Sequence, residues 1–132
     1  MAYLDKMREL CDEKGIELIL VKAPTNFWRY HWYDEWDGQI TDYAETHGLA
    51  YYNLIPKADE MGLDMTTDTY DEGAHLNVYG AEKLSRYFGK ILRDTHEIPD
   101  RRLYSYDSVV WKGRVDAYYA RKAQMEQANS SP

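Results

Sequence analysis

The central stretch of the sequence is Asp71-Glu72-Gly73-Ala74-His75-Leu76-Asn77-Val78-Tyr79-Gly80-Ala81. In this stretch a predicted loop with two acidic side chains and an imidazole is followed directly by the predicted start of a helix. Asn77 is a good N-cap, because its side-chain oxygen can accept hydrogen bonds from the first backbone N–H groups. The helix is predicted over 78–94 from apolar residues at helical spacing, which are Ala81, Leu84, Phe88, Ile91 and Leu92. His75 thus lies on a loop just before a helix, where an acidic neighbour can orient one ring nitrogen while the other accepts a proton. A general base needs this arrangement.

Length and composition indicate one compact domain that does not bind nucleic acid. The chain has 132 residues, and a hydrophobic content of 44% argues against disorder. A formal net charge of −7 argues against nucleic acid or an anionic membrane surface as a partner, because phosphate-binding proteins carry basic patches. No apolar run is long enough for a secretion signal or a membrane span. The single cysteine, Cys11, excludes an internal disulfide.

Hydrophobic periodicity and turn residues predict an alternation of helices and strands. The predicted elements are a helix over 2–14, a strand over 16–21, a helix from Asp34 or Asp37 to His47, a strand over 49–54, the helix over 78–94 and a last helix from Tyr104. Gly15 and Gly48 supply left-handed helix ends. The short strands are rich in apolar and β-branched or aromatic residues, which is typical of a parallel sheet with helices on its faces.

Two strands are too few for a stable open parallel sheet, which more typically has roughly 4–6. We therefore expect either that the chain is the C-terminal piece of a larger α/β domain or that a partner pairs with one sheet edge. The predicted organisation is an α/β domain over 1–96, a helical extension packed on it over 97–126 and a flexible tail over 127–132.

The central stretch resembles the last sequence block of the SGNH/GDSL hydrolases, in which an Asp and a His precede the final helix. The residues that carry the resemblance are Asp71 to Asn77 and then Gly80-Ala81-Glu82-Lys83-Leu84-Ser85. Lys22-Ala23-Pro24 and Tyr51-Tyr52-Asn53 resemble two strand ends that occur in the same order in one branch of the family. The similarity covers roughly residues 3–94, and His-Leu-Asn-x-x-Gly-Ala is its most specific part.

The resemblance implies a three-layer α/β/α sandwich of flavodoxin-like type, present here as its C-terminal half with a short parallel sheet. It also implies catalysis by Ser, His and Asp on separate loops. The family's Gly-Asp-Ser block does not occur in this sequence, so the nucleophilic Ser is expected outside this chain. His75 would take the proton from that Ser. Asp71 or Glu72 would orient the imidazole: family spacing favours Glu72, and residue type favours Asp71.

Candidate substrate-binding residues follow the first strand. Asn26, Trp28 and Trp32 lie in or beside an aromatic stretch over 27–33 that could stack on sugar rings, or form a packed lid instead. His31 and His47 lack the ligand spacing of a zinc site, so we expect no metal and no other cofactor.

The resulting hypothesis is part of a serine ester hydrolase, an acyl esterase or carbohydrate deacetylase, acting on a small acyl-ester or glycan-ester substrate. Its partner would be the missing N-terminal half or a second copy along the sheet edge. The alternatives are a non-catalytic α/β module that self-associates or binds a ligand through the sheet edge and aromatic stretch, and a truncated reading frame with no independent role.

Overall fold

The structure, a computed structural model, describes residues 1–26, 32–96, 98 and 106–130. The chain divides into two compact units, Met1–Lys90 and Ile91–Pro132. The elements are α1 (Ala2–Lys14), β1 (Ile19–Lys22), α2 (Tyr33–His47), β2 (Ala50–Asn53), a 3-10 turn (Ile55–Lys57), α3 (Val78–Thr95) and α4 (Tyr106–Ser130). Helix α4 thus includes residues 127–130, where the sequence suggested a tail.

The first strand begins three residues later than predicted, and the first residue of the predicted strand, Ile16, takes part in the end of helix α1 instead. Gly15 ends α1 in a left-handed conformation with φ of 65°. The N–H of Ile16 then donates to the carbonyl oxygen of Cys11 at 2.8 Å, which closes the helix end. Ile16 is therefore part of a helix cap, and β1 starts only at Ile19.

Helix α2 also begins earlier than expected, at Tyr33, with Trp32 as its N-cap and no side-chain cap hydrogen bond. The prediction that Asp34 or Asp37 caps this helix is wrong. Asp34 lies in the first turn, where its charge suits the helix dipole. Asp37 accepts a hydrogen bond from the hydroxyl of Tyr51 at 2.6 Å and so ties α2 to β2.

Strands β1 and β2 pair in parallel, as the sequence predicted, and their register places Ile19 opposite Ala50 and Lys22 opposite Asn53. Helices contact both faces of this sheet. On one face Tyr51 binds Asp37 of α2, and on the other the ring of Tyr52 packs edge-on against Phe88 of α3 at 5.6 Å. The fold is mixed α/β, as expected, with helices on either side of a short parallel sheet.

The apolar core of the described residues is small. Its buried members are Tyr43 and Ala44 of α2 and Leu54 and Ile55 directly after β2. Neither strand contains a fully buried residue, and within the described residues each strand pairs on one side only. β1 is an apolar run of the kind found in the middle of parallel sheets, yet here it forms an edge.

Helix α3 begins as the sequence predicted. The side-chain oxygen of Asn77 accepts hydrogen bonds from the backbone N–H of Tyr79 at 2.9 Å and of Gly80 at 3.2 Å. Gly80 is needed for close packing, because a Cβ atom at this position would overlap the carbonyl oxygen of Asp68 and touch Leu76. The start of α3 is thereby pressed against the loop that precedes it.

Replacing Gly80 by Ala should destabilise the protein by about 1–3 kcal/mol, since the added methyl group meets rigid backbone. Gly89 of the same helix is the matched control, because a Cβ there meets nothing within 4 Å. Gly89→Ala should stabilise by about 0.5–1 kcal/mol through helix propensity. Urea unfolding monitored by circular dichroism measures both, and equal effects of the two substitutions would contradict the close contact at Gly80.

Candidate active site

The segment 68–77 forms a closed loop immediately before α3. Thr69 and Leu76 make an antiparallel bridge, and the N–H of Tyr70 donates to the carbonyl oxygen of His75 at 3.0 Å. The N–H of Asn77 donates to the carbonyl oxygen of Asp68 at 2.8 Å, which joins the two ends of the loop. Backbone pairing therefore brings the residues at the tip of the loop, 71–75, close to one another.

Asp71 and His75 form the main polar contact at this tip. One carboxylate oxygen of Asp71 lies 2.6 Å from Nδ1 of His75, and the other accepts the backbone N–H of His75 at 2.7 Å. The ring is 80% exposed, and within the described part of the chain no hydrogen bond is made by its Nε2 atom. The arrangement leaves Nε2 accessible while Asp71 holds the other side of the ring.

The ring of His75 also lowers the pKa of the Asp71 carboxyl. The hydrogen bond from the imidazole is the largest of the contributions that place the pKa of the Asp71 carboxyl below its ordinary value. A carboxylate with a lowered pKa stabilises the folded loop above the ordinary pKa, and this contribution is lost as the pH falls through the folded-state value. The contact is therefore complete at neutral pH and weakens only in acid.

Glu72, the second acid proposed from the sequence, has a different role in the structure. It adopts a left-handed conformation with φ of 55°, and its backbone carbonyl accepts a hydrogen bond from the Asn26 amide at 3.3 Å. Asp71, rather than Glu72, is the carboxylate beside the imidazole.

Thr25 and Asn26 connect the end of β1 to this loop. The N–H of Asn26 donates to the carbonyl oxygen of Gly73 at 2.7 Å, and the hydroxyl of Thr25 donates to the same oxygen at 3.2 Å. Gly73 has φ of 105°, and a Cβ there would overlap the Asn26 side chain, so only glycine fits. Asn26, predicted as a substrate-binding residue, lies beside the His75 loop and supports its backbone.

An ion pair between the buried Asp68 and the half-buried Lys83 fixes the base of the loop to α3. Asp68 is only 3% exposed. One of its carboxylate oxygens accepts a hydrogen bond from the Lys83 ammonium at 2.6 Å and another from the backbone N–H of Asp64 at 2.8 Å. Burial alone would raise the pKa of Asp68, but these two hydrogen bonds outweigh it and leave the pKa below its ordinary value. Lys83 also donates to the carbonyl oxygen of Gly62 at 2.8 Å, so one ammonium joins three segments.

Of the other two predicted substrate-binding residues, only one lies in the part of the chain that the structure describes. Trp32 is exposed at the start of α2, and Trp28 lies outside the described residues. Within the described residues no serine is hydrogen-bonded to His75, and Ser85 lies in the body of α3. The structure brings together Asp71, His75 and Asn26, and none of the serines it describes is hydrogen-bonded to these three residues.

Sequence reasoning missed a second polar cluster at the end of β2. The Asn53 amide donates to the hydroxyl of Tyr33 at 2.6 Å and to the same Asp37 oxygen that Tyr51 uses, at 2.8 Å. Burial, and then the bond to Asp37, raises the pKa of Tyr51 above its ordinary value. The cluster borders an open cleft of about 330 Å³ between α2 and β2. Alternation along β2 places Tyr51 and Asn53 on one face and was the available signal.

No family model, curated protein or solved structure matches this chain in comparisons with known proteins. Among the described residues, no helix is long and apolar enough to cross a membrane, and no group of three or more His, Cys, Asp or Glu side chains is placed to hold a metal ion.

Replacing His75 by Gln should raise the pKa of Asp71 toward that of an ordinary Asp side chain, because the largest cause of its lowering, the hydrogen bond to the imidazole, is removed. Carbon-13 NMR titration of the carboxyl groups measures this directly. Glu72→Gln is the control, since the ring of His75 is hydrogen-bonded to Asp71 and not to Glu72, and loss of the Glu72 charge should not raise the pKa of Asp71. An Asp71 pKa that stays the same in His75→Gln would contradict the observed pairing.

Replacing Lys83 by Met should destabilise the protein by about 1–3 kcal/mol, since the buried Asp68 carboxylate loses its half-buried counter-ion. Lys90→Met, an exposed position of the same helix, should change the free energy of unfolding by less than about 0.5 kcal/mol. Urea denaturation at pH 7 compares the two. Similar small effects would show that the Asp68–Lys83 pair does not hold the loop.

Proposed function

We propose that this chain supplies the His75 and Asp71 of a serine ester hydrolase of SGNH/GDSL type, with the Ser provided by residues outside these 132. The observation that carries the proposal is the 2.6 Å contact between Asp71 Oδ2 and His75 Nδ1, on an imidazole that is otherwise exposed. An orienting carboxylate on one side and an accessible nitrogen on the other are the requirements of a triad base.

The chemistry follows from this orientation. With its Nδ1 proton donated to Asp71, the imidazole presents Nε2 as a proton acceptor. Nε2 takes the hydroxyl proton of the Ser as its Oγ attacks the carbonyl carbon of an acyl ester. The imidazolium then gives that proton to the departing alcohol, and a water molecule repeats the sequence to release the acid. Asp71 stabilises the transient imidazolium and does not itself take up the proton.

The position of the loop supports the same proposal. Ligand and reaction sites of open α/β sheets form at the carboxyl ends of their strands. The backbone of Asn26, four residues after β1 ends at Lys22, holds the His75 loop at that end. Helices on both faces of a parallel sheet agree with the flavodoxin-like sandwich that the resemblance implies. A glycan-borne ester remains our substrate proposal because of Trp32, which is exposed at the start of α2.

The experiment joins this chain to the polypeptide encoded directly upstream of Met1, which the proposal expects to contain a Gly-Asp-Ser block. Hydrolysis of p-nitrophenyl acetate by the joined protein should fall by about 10²–10⁴-fold in His75→Ala and in Asp71→Asn. Glu72→Gln is the matched control and should retain most of the activity. The 132-residue chain alone should show no turnover that depends on His75.

Two results would contradict this proposal. A robust ester hydrolysis by the isolated chain that is lost in His75→Ala would place the nucleophile within these residues. An upstream sequence with no Gly-Asp-Ser block, or a joined protein indifferent to His75→Ala, would remove the hydrolase assignment.

The apolar edge strand favours a second candidate, a non-catalytic module that binds a partner through β1. Val21 is exposed in a strand whose sequence is that of a central strand. In such a module His75→Ala leaves partner binding unchanged, whereas in a hydrolase the same substitution removes turnover.

A further inference from the structure

The cleft between α2 and β2 takes no part in the chemistry proposed for the His75 loop. It has a volume of about 330 Å³, and all the residues that line it belong to the first compact unit. Thr41 of α2 and Leu49 directly before β2 lie on its wall, together with the polar cluster at the end of β2. Sites for small molecules begin at roughly 300 Å³, so the cleft has the size for one small ligand.

Most hydrogen-bond donors on the wall of this cleft are already in use. The Tyr51 hydroxyl and the Asn53 amide both donate to Oδ1 of Asp37, at 2.6 and 2.8 Å. The Asn53 amide also donates to the hydroxyl of Tyr33 at 2.6 Å, and its carbonyl oxygen accepts the N–H of Ile55 at 3.1 Å. An anionic ligand such as a phosphate would therefore meet few donors in this cleft.

Carboxylate oxygens, by contrast, remain available. Within the described residues, Oδ2 of Asp37 makes no hydrogen bond, and the exposed Glu45 side chain has no hydrogen bond or ion pair. The ammonium of Lys22, at the end of β1, lies 5.6 Å from the centre of the Trp36 ring and forms no ion pair with either acid. The cleft thus presents negative charge and acceptors, which suit a cation that donates hydrogen bonds.

We propose that this cleft binds a linear aliphatic diamine or polyamine, with one ammonium group at Asp37 and another at Glu45. The two acids are eight residues apart on α2, which is about 12 Å along the helix axis at 1.5 Å per residue. The methylene chain between the two ammonium groups lies against Leu49 and the methyl group of Thr41, which also line the cleft. The proposal does not depend on ester hydrolysis, and its failure leaves the role of His75 untouched.

Calorimetric titration of the complete chain with diaminooctane, which carries an amine at each end, tests the site. Diaminobutane is the comparison, because it is too short to reach both acids. Diaminooctane should bind at least about 10-fold more tightly, since only the longer chain gains the second ion pair. Glu45→Gln should weaken diaminooctane by about the same factor and remove its advantage over diaminobutane.

Glu35→Gln is the charge-matched control, because Glu35 is an exposed acid of the same helix that does not line the cleft. It should leave both affinities nearly unchanged. Equal losses in Glu35→Gln and Glu45→Gln would show attraction by the net charge of −7 alone and would overturn the proposal. Equal affinities for the two diamines in the unmodified chain, or no binding of diaminooctane, would overturn it as well.

Thr41→Arg tests the cleft without removing either acid. Position 41 is four residues from both Asp37 and Glu45, so the introduced guanidinium can pair with them in place of the ligand. Diaminooctane binding should be lost, while circular dichroism shows unchanged helix content. Undiminished binding in this variant would place the diamine elsewhere and contradict the proposal.

Discussion

The packing of the loop before α3 against that helix depends on the hydrogen bonds made by the buried carboxylate of Asp68. The carboxylate lies where the loop and α3 come together, and it accepts hydrogen bonds from Lys83 of the helix and from the backbone of Asp64. A charge removed from water is tolerable only when its partners are in place, so the loop and the helix have to meet in one geometry. Gly80 permits this meeting, because its missing side chain lets α3 approach the Asp68 carbonyl.

From this fixed base the tip of the loop can remain open to water without losing its order. Backbone hydrogen bonds from Tyr70 to His75 and from Asn26 to Gly73 hold the tip of the loop on two sides. One carboxylate oxygen of Asp71 accepts a hydrogen bond from the backbone N–H of His75, and the other is hydrogen-bonded to Nδ1 of its ring. The imidazole is thereby oriented while its other nitrogen stays accessible, and a general base has to combine these two properties.

Much of the fold could be read from local pattern. The element order and the cap at Asn77 depend on residues close in sequence, and the structure has them as predicted. The parallel pairing of the two strands was also predicted, from their apolar composition and the helix between them, although it joins Ile19 to Ala50. The errors occur where elements compete at their ends. Ile16 pairs with Cys11 at the end of α1 instead of joining the strand, and Asp37 binds Tyr51 of β2 instead of capping α2.

The sequence by itself determined which residues could form the site, since His75 and its two acidic neighbours stand within five positions of one another before a helix cap. Only the tertiary structure decided that Asp71 is the partner and that Glu72 turns its carbonyl toward Asn26. The pairing of Asp68 with Lys83 could not be predicted either, because the two residues are fifteen positions apart and such an ion pair has no local sequence pattern. Periodicity reports which face of an element is apolar, whereas the choice of a hydrogen-bond partner depends on which segments the folded chain brings within 3 Å.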